Sequence, residues 1–472
     1  MGSSSRDRPW ILAGRAAILF GVAVSILQVA RAQVGGDQFY QLVRGWMFAY
    51  GDWWVPFGVH TSSGGFSPGG LLSLLHGLPL LAWQDHRAVA AFGLVAHAGA
   101  GWLLYRTCAP ALSARGRFLL ILLWWVNPWR MHYSTFAWNP NWMFVLGAIH
   151  VATARRMADR PAFLATFVHV AVVCLGIQIH NSFLILPVAT VLLWWRRGLR
   201  VHLLGAAAGA GFAAATLVPW VVMALEHPAI LPIGGNGFLG RGLVTVYPMV
   251  RGVLYLLRYP SFAIGRDLTA FDFGPAFGER ADAVLAPLVG GIVAVAGVAT
   301  VWIALVALVR LWRRRPRPAF APLEDGAGPR AWLVTYARWS LVAAVVSFAL
   351  SPTTTMSWQA FPVFHAAVVP LVLYGQAALR SRRRAAVRKV VVAWSTLTVL
   401  VCLAVATASP MYRRGGRNAM VVRVQEVPMF LEALGVPRTG TVKVLPDGSN
   451  ESHVLLGPDR WHEGLEAGRE KM

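Results

Sequence analysis

Apolar runs separated by short arginine-rich breaks recur along this chain from Trp10 to about Ala408. A helix rises about 1.5 Å per residue, so a hydrocarbon layer of about 30 Å needs about 20 apolar residues to cross it. Runs of that order stand at 10–31, 87–106, 117–130, 141–155, 162–180, 182–195, 201–224, 284–310, 332–351, 358–379 and 389–408, several of them short or separated only by a turn. The pattern predicts an all-α polytopic membrane protein with about 11 transmembrane helices.

The breaks give the orientation. With the N-terminus cytoplasmic, the inner loops hold Arg106, Arg115 and Arg117, then Arg155, Arg156 and Arg160, then Arg196, Arg197 and Arg200, then the cluster from Arg310 to Arg317, and last that from Arg380 to Lys389. Every basic cluster then faces inward, as the positive-inside rule asks. This holds only if "PGGLLSLLHGLPLLAW", Pro68 to Trp83, does not cross, so that stretch is expected to lie as a re-entrant or interfacial helix on the outer side. The expected organisation is a transmembrane domain over 1–409, with long outer loops at 33–86 and 225–283, and an outer tail over 410–472. "TVKVLP" and "SHVLLG" in the tail alternate weakly, enough for a small appendage or a loosely ordered end. Arg6, Arg8 and the "VARA" before Gln33 suggest a signal peptide, but the apolar run between them exceeds the usual h-region, which favours an uncleaved first span.

Composition agrees with a membrane protein. Of 472 residues, 56% are hydrophobic, 13% are charged and 21 are Trp, more apolar surface than a soluble core absorbs. A formal charge of +23 would suggest nucleic acid in a soluble protein; here the cations sit between apolar runs, and no nucleic-acid partner is expected. Cys108, Cys174 and Cys402 lie in or beside apolar segments without C-x-x-C spacing, implying neither a disulfide framework nor a zinc site.

Candidate chemistry concentrates on the outer side. Asp37 in "GGDQFYQLVRGW" places a carboxylate just past the first span, where an acid is costly unless solvated, paired or used. Gly35 and Gly36 free the backbone before it, and Tyr40 lies one helical turn on. Such an Asp can take a proton from an acceptor hydroxyl or amine as a general base, and its plain alternative is a helix-end residue facing water.

"GDQFYQLVRGWMFAYGDWWVPFG" resembles the first outer loop of the GT-C class of polyprenyl-phosphate-sugar-dependent glycosyltransferases, which carries an acidic pair, a Tyr about three residues on, then "GDW-VP". Asp37 falls on the first acid, Tyr40 on the tyrosine, and Gly51, Asp52, Trp53, Val55 and Pro56 on the second part; the second acid of the pair is Gln38 here. "FSPGGLLSLLHGLPLL" is similar to the K-P-P-L interfacial helix that follows, with Ser67 where a lysine often stands. "NPWRMHYSTFAWNPNWMF" and "GIQIHNSFLILPV" resemble the W-N-P-N and Q-x-H-x-S segments of a bacterial branch related to protein O-mannosyltransferases and the lipid A aminoarabinose transferase. Gln178, His180 and Ser182 match; Asn139 or Asn141 stands where some relatives have Asp. The likeness covers about the first 195 residues, and the rest fits only as a hydropathy profile.

The resemblance implies an inverting glycosyltransferase of the bacterial inner membrane. Its donor would be a polyprenyl-phosphate-linked sugar, its acceptor a lipid, glycan or protein, and its general base Asp37. Tyr40, Arg130, His132, Asn139, Asn141, Gln178 and His180 are the candidates for donor phosphate and sugar, since arginine holds phosphate bidentately and amides and imidazoles donate to its oxygens. Arg130 as a snorkelling arginine and His180 as a packing histidine are the plainer readings. Asp52, Arg258, Arg266 and Asp267 are acceptor or loop candidates, and "LVTVYPMVRGVLYLLRYP" is able to lie amphipathically on the membrane. The histidines lack H-x-x-x-H spacing, so no metal ligand is assigned; a divalent metal stays open without support. Two other classes remain, a transporter or lipid flippase for cell-envelope precursors, and a noncatalytic scaffold. The first calls for ionisable groups and broken helices at mid-membrane, the second for tolerance of Asp37 loss.

Overall fold

The computed structural model describes residues 7–32, 37–50, 54–60, 66–83, 85–228, 231, 246–263, 265–313, 328–351, 355–409, 420–423 and 453–456. Gly35, Gly36, Asp52 and Trp53, the side chains of Asp37, Tyr40, Arg266 and Asp267, and nearly all of the 410–472 tail lie outside the described residues.

α1 (Arg8–Arg31) carries Pro9 in its first turn, where a missing N–H does no harm, and is long and apolar enough to cross a membrane. There follow α2 (Asp37–Tyr50), the antiparallel strands β1 (Phe57–His60) and β2 (Phe66–Pro68), α3 (Leu71–Ala82) and the return span α4 (His86–Cys108). α5 (Ala114–Trp125), α6 (Pro128–Ser134), α7 (Trp142–Asp159), α8 (Phe163–Leu175), α9 (Ile185–Trp195), α10 (Leu203–Ala215) and α11 (Val218–Glu226) come next. The outer connection contains α12 (Val246–Arg258), α13 (Arg266–Thr269) and α14 (Gly274–Phe277), before α15 (Glu279–Arg313), α16 (Pro329–Ala349), α17 (Phe364–Ala378) and α18 (Arg384–Ala408). In the tail, β3 (Met420–Arg423) pairs antiparallel with β4 (His453–Leu456).

Among the described residues, 7 helical stretches are long and apolar enough to cross a membrane: Arg8–Arg31, His86–Ala111, Leu203–Glu226, Glu279–Arg313, Pro329–Ala349, Ser357–Ala378 and Arg384–Ala408. The remaining four expected runs fall on α5, α7, the Phe163–Gln178 stretch and the Asn181–Trp195 stretch, which are shorter or less apolar. Burial explains the difference. The Leu203–Glu226 stretch is 17% buried and Glu279–Arg313 28%, so their apolar side chains face lipid, whereas Ser357–Ala378 is 78% buried at the centre. α5 and α7 are likewise enclosed, and helices walled by protein need not match the bilayer in length or hydropathy.

At 12 residues α3 is about 18 Å long, too short to cross. It buries Leu72, His76 and Leu80 while Leu78 and Leu81 face outward, the two-sided pattern of an interfacial helix. Its contact with α2 is backbone on backbone: a Cβ at Gly45 would stand 2.7 Å from the His76 carbonyl carbon, and one at Gly77 2.6 Å from the Gly45 oxygen. Any larger residue at either position separates the two helices.

A polar network ties the interior of the bundle. The Thr190 hydroxyl donates to Leu186 O (2.9 Å) and so accepts Nε2–H from His150 and from His169, both at 3.0 Å. Tyr336 OH then donates to His150 Nδ1 (2.7 Å) and accepts from His365 Nε2 (3.1 Å), while Thr153 lies 2.8 Å from His169 Nδ1. Helices α7, α8, α9, α16 and α17 are locked in register, because a slip would strand several of these groups in an apolar interior.

Candidate active site

The four sequence segments that carry the resemblance meet at one end of the helix bundle, the end expected to face outward. On α2, Gln41 is fully buried and its Nε2 donates to Asn139 Oδ1 at 2.8 Å; Asn139 Nδ2 in turn donates to Ile179 O at 2.8 Å. One chain of hydrogen bonds thus joins α2, the 3-10 turn Asn139–Asn141, and the junction between α8 and α9. The fourth segment arrives at Gly69, whose φ of +80° is open to glycine and strained for other residues. A Cβ there would overlap Cγ, Cδ and Oε1 of Gln178, so absence of a side chain is what lets the turn close onto that residue. Gln178 Nε2 donates to Thr216 Oγ1 (2.6 Å), which brings in the outer end of α10. The "WVPFG" stretch is fastened to the same turn, with the Trp54 indole donating to Gly70 O (2.9 Å) and Ser73 Oγ to Val55 O (3.1 Å).

Asp37 is the first residue of α2, one turn before Gln41. Arg44, which the sequence reading passed over, is buried on α2 with its guanidinium 5.7 Å from the ring centres of both Phe57 and Phe66. Burial lowers its pKa to about 9, so it remains a cation at neutral pH beneath the hairpin.

Arg130 lies in the interior rather than open to the outer side. Its guanidinium is fully buried, with Nε donating to Trp124 O (2.6 Å), Nη2 to Trp125 O (3.1 Å) and Nη1 to Ser134 Oγ (3.1 Å). It closes the C-terminal carbonyls of α5, the partners that a helix end otherwise lacks. The sequence places Arg130 five residues beyond Trp125, and a short helix capped by Asn127 folds it back: Asn127 Oδ1 accepts from Arg130 N at 3.2 Å. His132 is likewise interior, between Tyr133 (4.7 Å) and Phe136 (5.0 Å), and burial lowers its pKa to about 3. Asn141 Nδ2 donates to Phe136 O, and its backbone oxygen pairs with His97 Nε2 at 3.1 Å.

His180 differs from these. Its Nδ1 accepts from Ser182 N (3.1 Å) and lies 2.8 Å from Ser182 Oγ, so the neutral ring carries its proton on Nε2. It is only half-buried, and Nε2 makes no hydrogen bond among the described residues, which leaves an N–H donor open. Burial lowers its pKa to about 4, keeping it neutral.

The polar groups suited to an anion lie instead on α12. An open cavity of about 790 Å³ runs between α12 and α15, with Tyr247, Arg251, Tyr255 and Arg258 at one wall and Val298, Trp302 and other apolar residues of α15 at the other. Arg251 touches Tyr247 OH and Tyr255 OH, each at 3.4 Å, and Met356 Sδ at 3.0 Å. Arg258 gives Nε to Ala263 O (2.6 Å) and lies 5.1 Å from the rings of Trp129 and Tyr255. Of the loop candidates Arg258 therefore joins this layer, whereas nothing is placed for Asp52 or for the Arg266 and Asp267 side chains. Among the described residues no group of three or more His, Cys, Asp or Glu is arranged to hold a metal ion.

Several participants carried no sequence signal. Arg251 and the 3-10 helix Ser357–Val363 belong to the half without recognisable motifs, yet that helix packs on the Asn139–Asn141 turn, the Asn181–Leu184 turn and α12. Gln41 was legible in principle, one turn after Asp37. Buried polar atoms without a partner among the described residues include Gln41 Oε1, Ser67 Oγ, Asn141 Oδ1 and Thr355 Oγ1, all on segments of this outer layer. Each such atom costs about 1–3 kcal/mol unless water, an ion or a ligand satisfies it.

No family model and no curated protein matches the chain. In structure it is similar to ArnT from Cupriavidus metallidurans bound to undecaprenyl phosphate, with 14% identity, 84% of this chain and 76% of that one covered, and a TM-score of 0.49. It is similar also to the Archaeoglobus fulgidus oligosaccharyltransferase in complex with Zn and sulfate, at 13% identity over 83% of this chain and 53% of that one, with a TM-score of 0.46.

Proposed function

We propose that this protein is an integral membrane glycosyltransferase that moves a sugar from a polyprenyl-phosphate donor to a lipid, glycan or protein acceptor at the outer face of a bacterial inner membrane. The observation that carries the reading is the junction itself: segments separated by up to about 140 residues, each resembling a different motif of one enzyme class, are joined through Gln41, Asn139, Ile179, Gly69 and Gln178. A mere hydropathy likeness gives no reason for those segments to touch.

The chemistry is a single displacement with inversion. The acceptor oxygen or nitrogen attacks the anomeric carbon, the bond from that carbon to the phosphate oxygen breaks, and Asp37 takes the acceptor's proton. The lipid phosphate leaves as an anion, so it needs electrostatic stabilisation more than protonation. Arg251 and Arg258 supply it, with the isoprenoid against α15 in the cavity beside them. The Nε2–H of His180 is a further donor for phosphate or sugar oxygens, Tyr40 orients the base, and Gln178 and Asn139 hold the frame.

The test is transfer from a panel of radiolabelled polyprenyl-phosphate sugars, in membranes holding wild type or Asp37→Asn. Transfer by wild type into a lipid, glycan or protein fraction, lost in a normally folded Asp37→Asn protein, is expected; equal transfer by both removes Asp37 as the base. A flippase reading has one observation in its favour, the buried imidazoles of His150, His169 and His365. It predicts lipid translocation without transfer in the same membranes.

A further inference from the structure

We propose that Trp138 and Trp358 form the subsite that receives the monosaccharide ring of the donor, an inference that rests on the glycosyltransferase reading and adds to it where the sugar lies. Trp138 precedes the Asn139–Asn141 turn and Trp358 stands on the Ser357–Val363 helix, 220 residues apart in sequence. Their rings meet at 5.0 Å between centroids and 71° between planes, forming a corner. The corner is braced from below: Tyr133 lies parallel to Trp138 at 6.0 Å and 24°, and is itself packed on Phe361 at 4.5 Å.

These two indoles are unlike the tryptophans that face lipid. Trp102, Trp194, Trp195 and Trp302 are 59% to 65% exposed, as an aromatic belt requires, whereas Trp138 and Trp358 are half-buried and packed against the core. Neither indole N–H makes a hydrogen bond among the described residues, although a sheltered Trp N–H usually has a partner. In or next to the same two segments are two buried oxygens without a partner among the described residues, Asn141 Oδ1 and Thr355 Oγ1, in residues that are 5% and 0% exposed.

Position selects the ligand. The Tyr259 hydroxyl donates to the carbonyl of Ser357, next to Trp358, and Arg251 reaches Met356 two residues before it. The corner is therefore fastened directly to the element that carries Arg251 and Arg258, so a phosphate at those arginines brings the sugar it bears to the indoles. A sugar ring offers an apolar C–H face and a rim of hydroxyls. One indole plane takes the face, and the indole N–H groups with the two orphan oxygens take the rim.

The test compares affinities of the full-length detergent-solubilised protein for undecaprenyl phosphate and for undecaprenyl-phosphate glucose, mannose and arabinose, by native mass spectrometry. The wild type should hold at least one glycosylated lipid more tightly than the bare phosphate. Trp358→Ala and Trp138→Ala should each weaken that lipid roughly tenfold while changing the bare lipid less than about twofold. Trp358→Phe, which keeps a ring and the packing, should recover part of the loss, and Arg258→Gln should weaken both lipids alike. Equal loss for both lipids in the tryptophan variants, no loss in either, or a wild type indifferent to the sugar overturns the subsite and leaves the lipid-phosphate reading standing. A wild type that binds neither kind of lipid removes both.

Discussion

The contact between Gly69 and Gln178 is open to a quantitative test, because two separate effects meet there and one of them is removable. Gly69→Ala forces an alanine to φ of +80°, which costs about 1–2 kcal/mol. It also drives a methyl into Cγ, Cδ and Oε1 of Gln178, an overpacking of about 1–3 kcal/mol. Gln178→Ala removes all three overlapping atoms along with the bond to Thr216, a loss of about 0.5–1.5 kcal/mol. In the double variant the backbone strain and the lost bond remain while the overlap is gone. The two changes should therefore be less than additive by about 1–3 kcal/mol. The assay is reversible unfolding of the four proteins in mixed detergent and lipid micelles. Strict additivity, within about 0.5 kcal/mol, would show that the turn does not press on Gln178, and the joining of the motif segments would lose its tightest contact.

Arg130→Ala should lower stability by about 3 kcal/mol or more, since Trp124 O, Trp125 O and Ser134 Oγ lose their donor in a buried place, and Arg130→Lys should not restore it. A phosphate-binding Arg130 would instead leave the unfolding midpoint alone and weaken donor binding. Tyr336→Phe should cost about 1–2 kcal/mol by stranding His150 Nδ1 and His365 Nε2, with transfer by the folded protein unchanged; a drop in turnover at equal stability contradicts a purely structural network. Burial lowers the pKa values of His76, His132 and His180 to about 4, 3 and 4, against about 6.5 for an unfolded histidine. The unfolded chain thus binds more protons in that window, so stability is complete above about pH 6.5 and declines toward pH 4, by up to about 1.4 kcal/mol per pH unit for each group. His132→Asn should make the decline shallower in a pH series of unfolding midpoints, and an unchanged slope would place His132 in water.

The architecture was legible because a hydrocarbon core imposes length and apolarity on whatever faces it. α10, α11, α15 and α18 meet lipid, and the sequence announces them plainly. α5 and α7 are shielded by other helices and were bound to neither rule, so their runs were short and their boundaries vague. The meeting place of the motifs was implied by the resemblance, but the roles within it were not. Charge and loop position make Arg130 a phosphate candidate or a snorkelling arginine, and a sequence does not reveal that six residues upstream a helix ends with bare carbonyls. Arg251, Trp358 and Thr355 reach the outer layer through tertiary packing of the half that carries no motif. Orphan acceptors such as Gln41 Oε1 appear only once every neighbour is in place.

On the proposed function, the brevity of the central helices sets the height at which the chemistry takes place. From Arg117 at the inner boundary to Trp125 at the end of α5, the chain climbs only about 12 Å, and from Arg155 back to Trp142 about 20 Å. Both fall well short of a layer about 30 Å thick. On the proposed orientation, the Asn127–Asn141 layer therefore lies below the outer surface of the bilayer. A lipid phosphate drawn to that layer moves down and sideways rather than outward, and every methylene that stays in oil avoids an extraction penalty of about 0.8 kcal/mol. On that reading the acceptor is the reactant that must travel, descending to meet a donor whose isoprenoid never leaves the membrane.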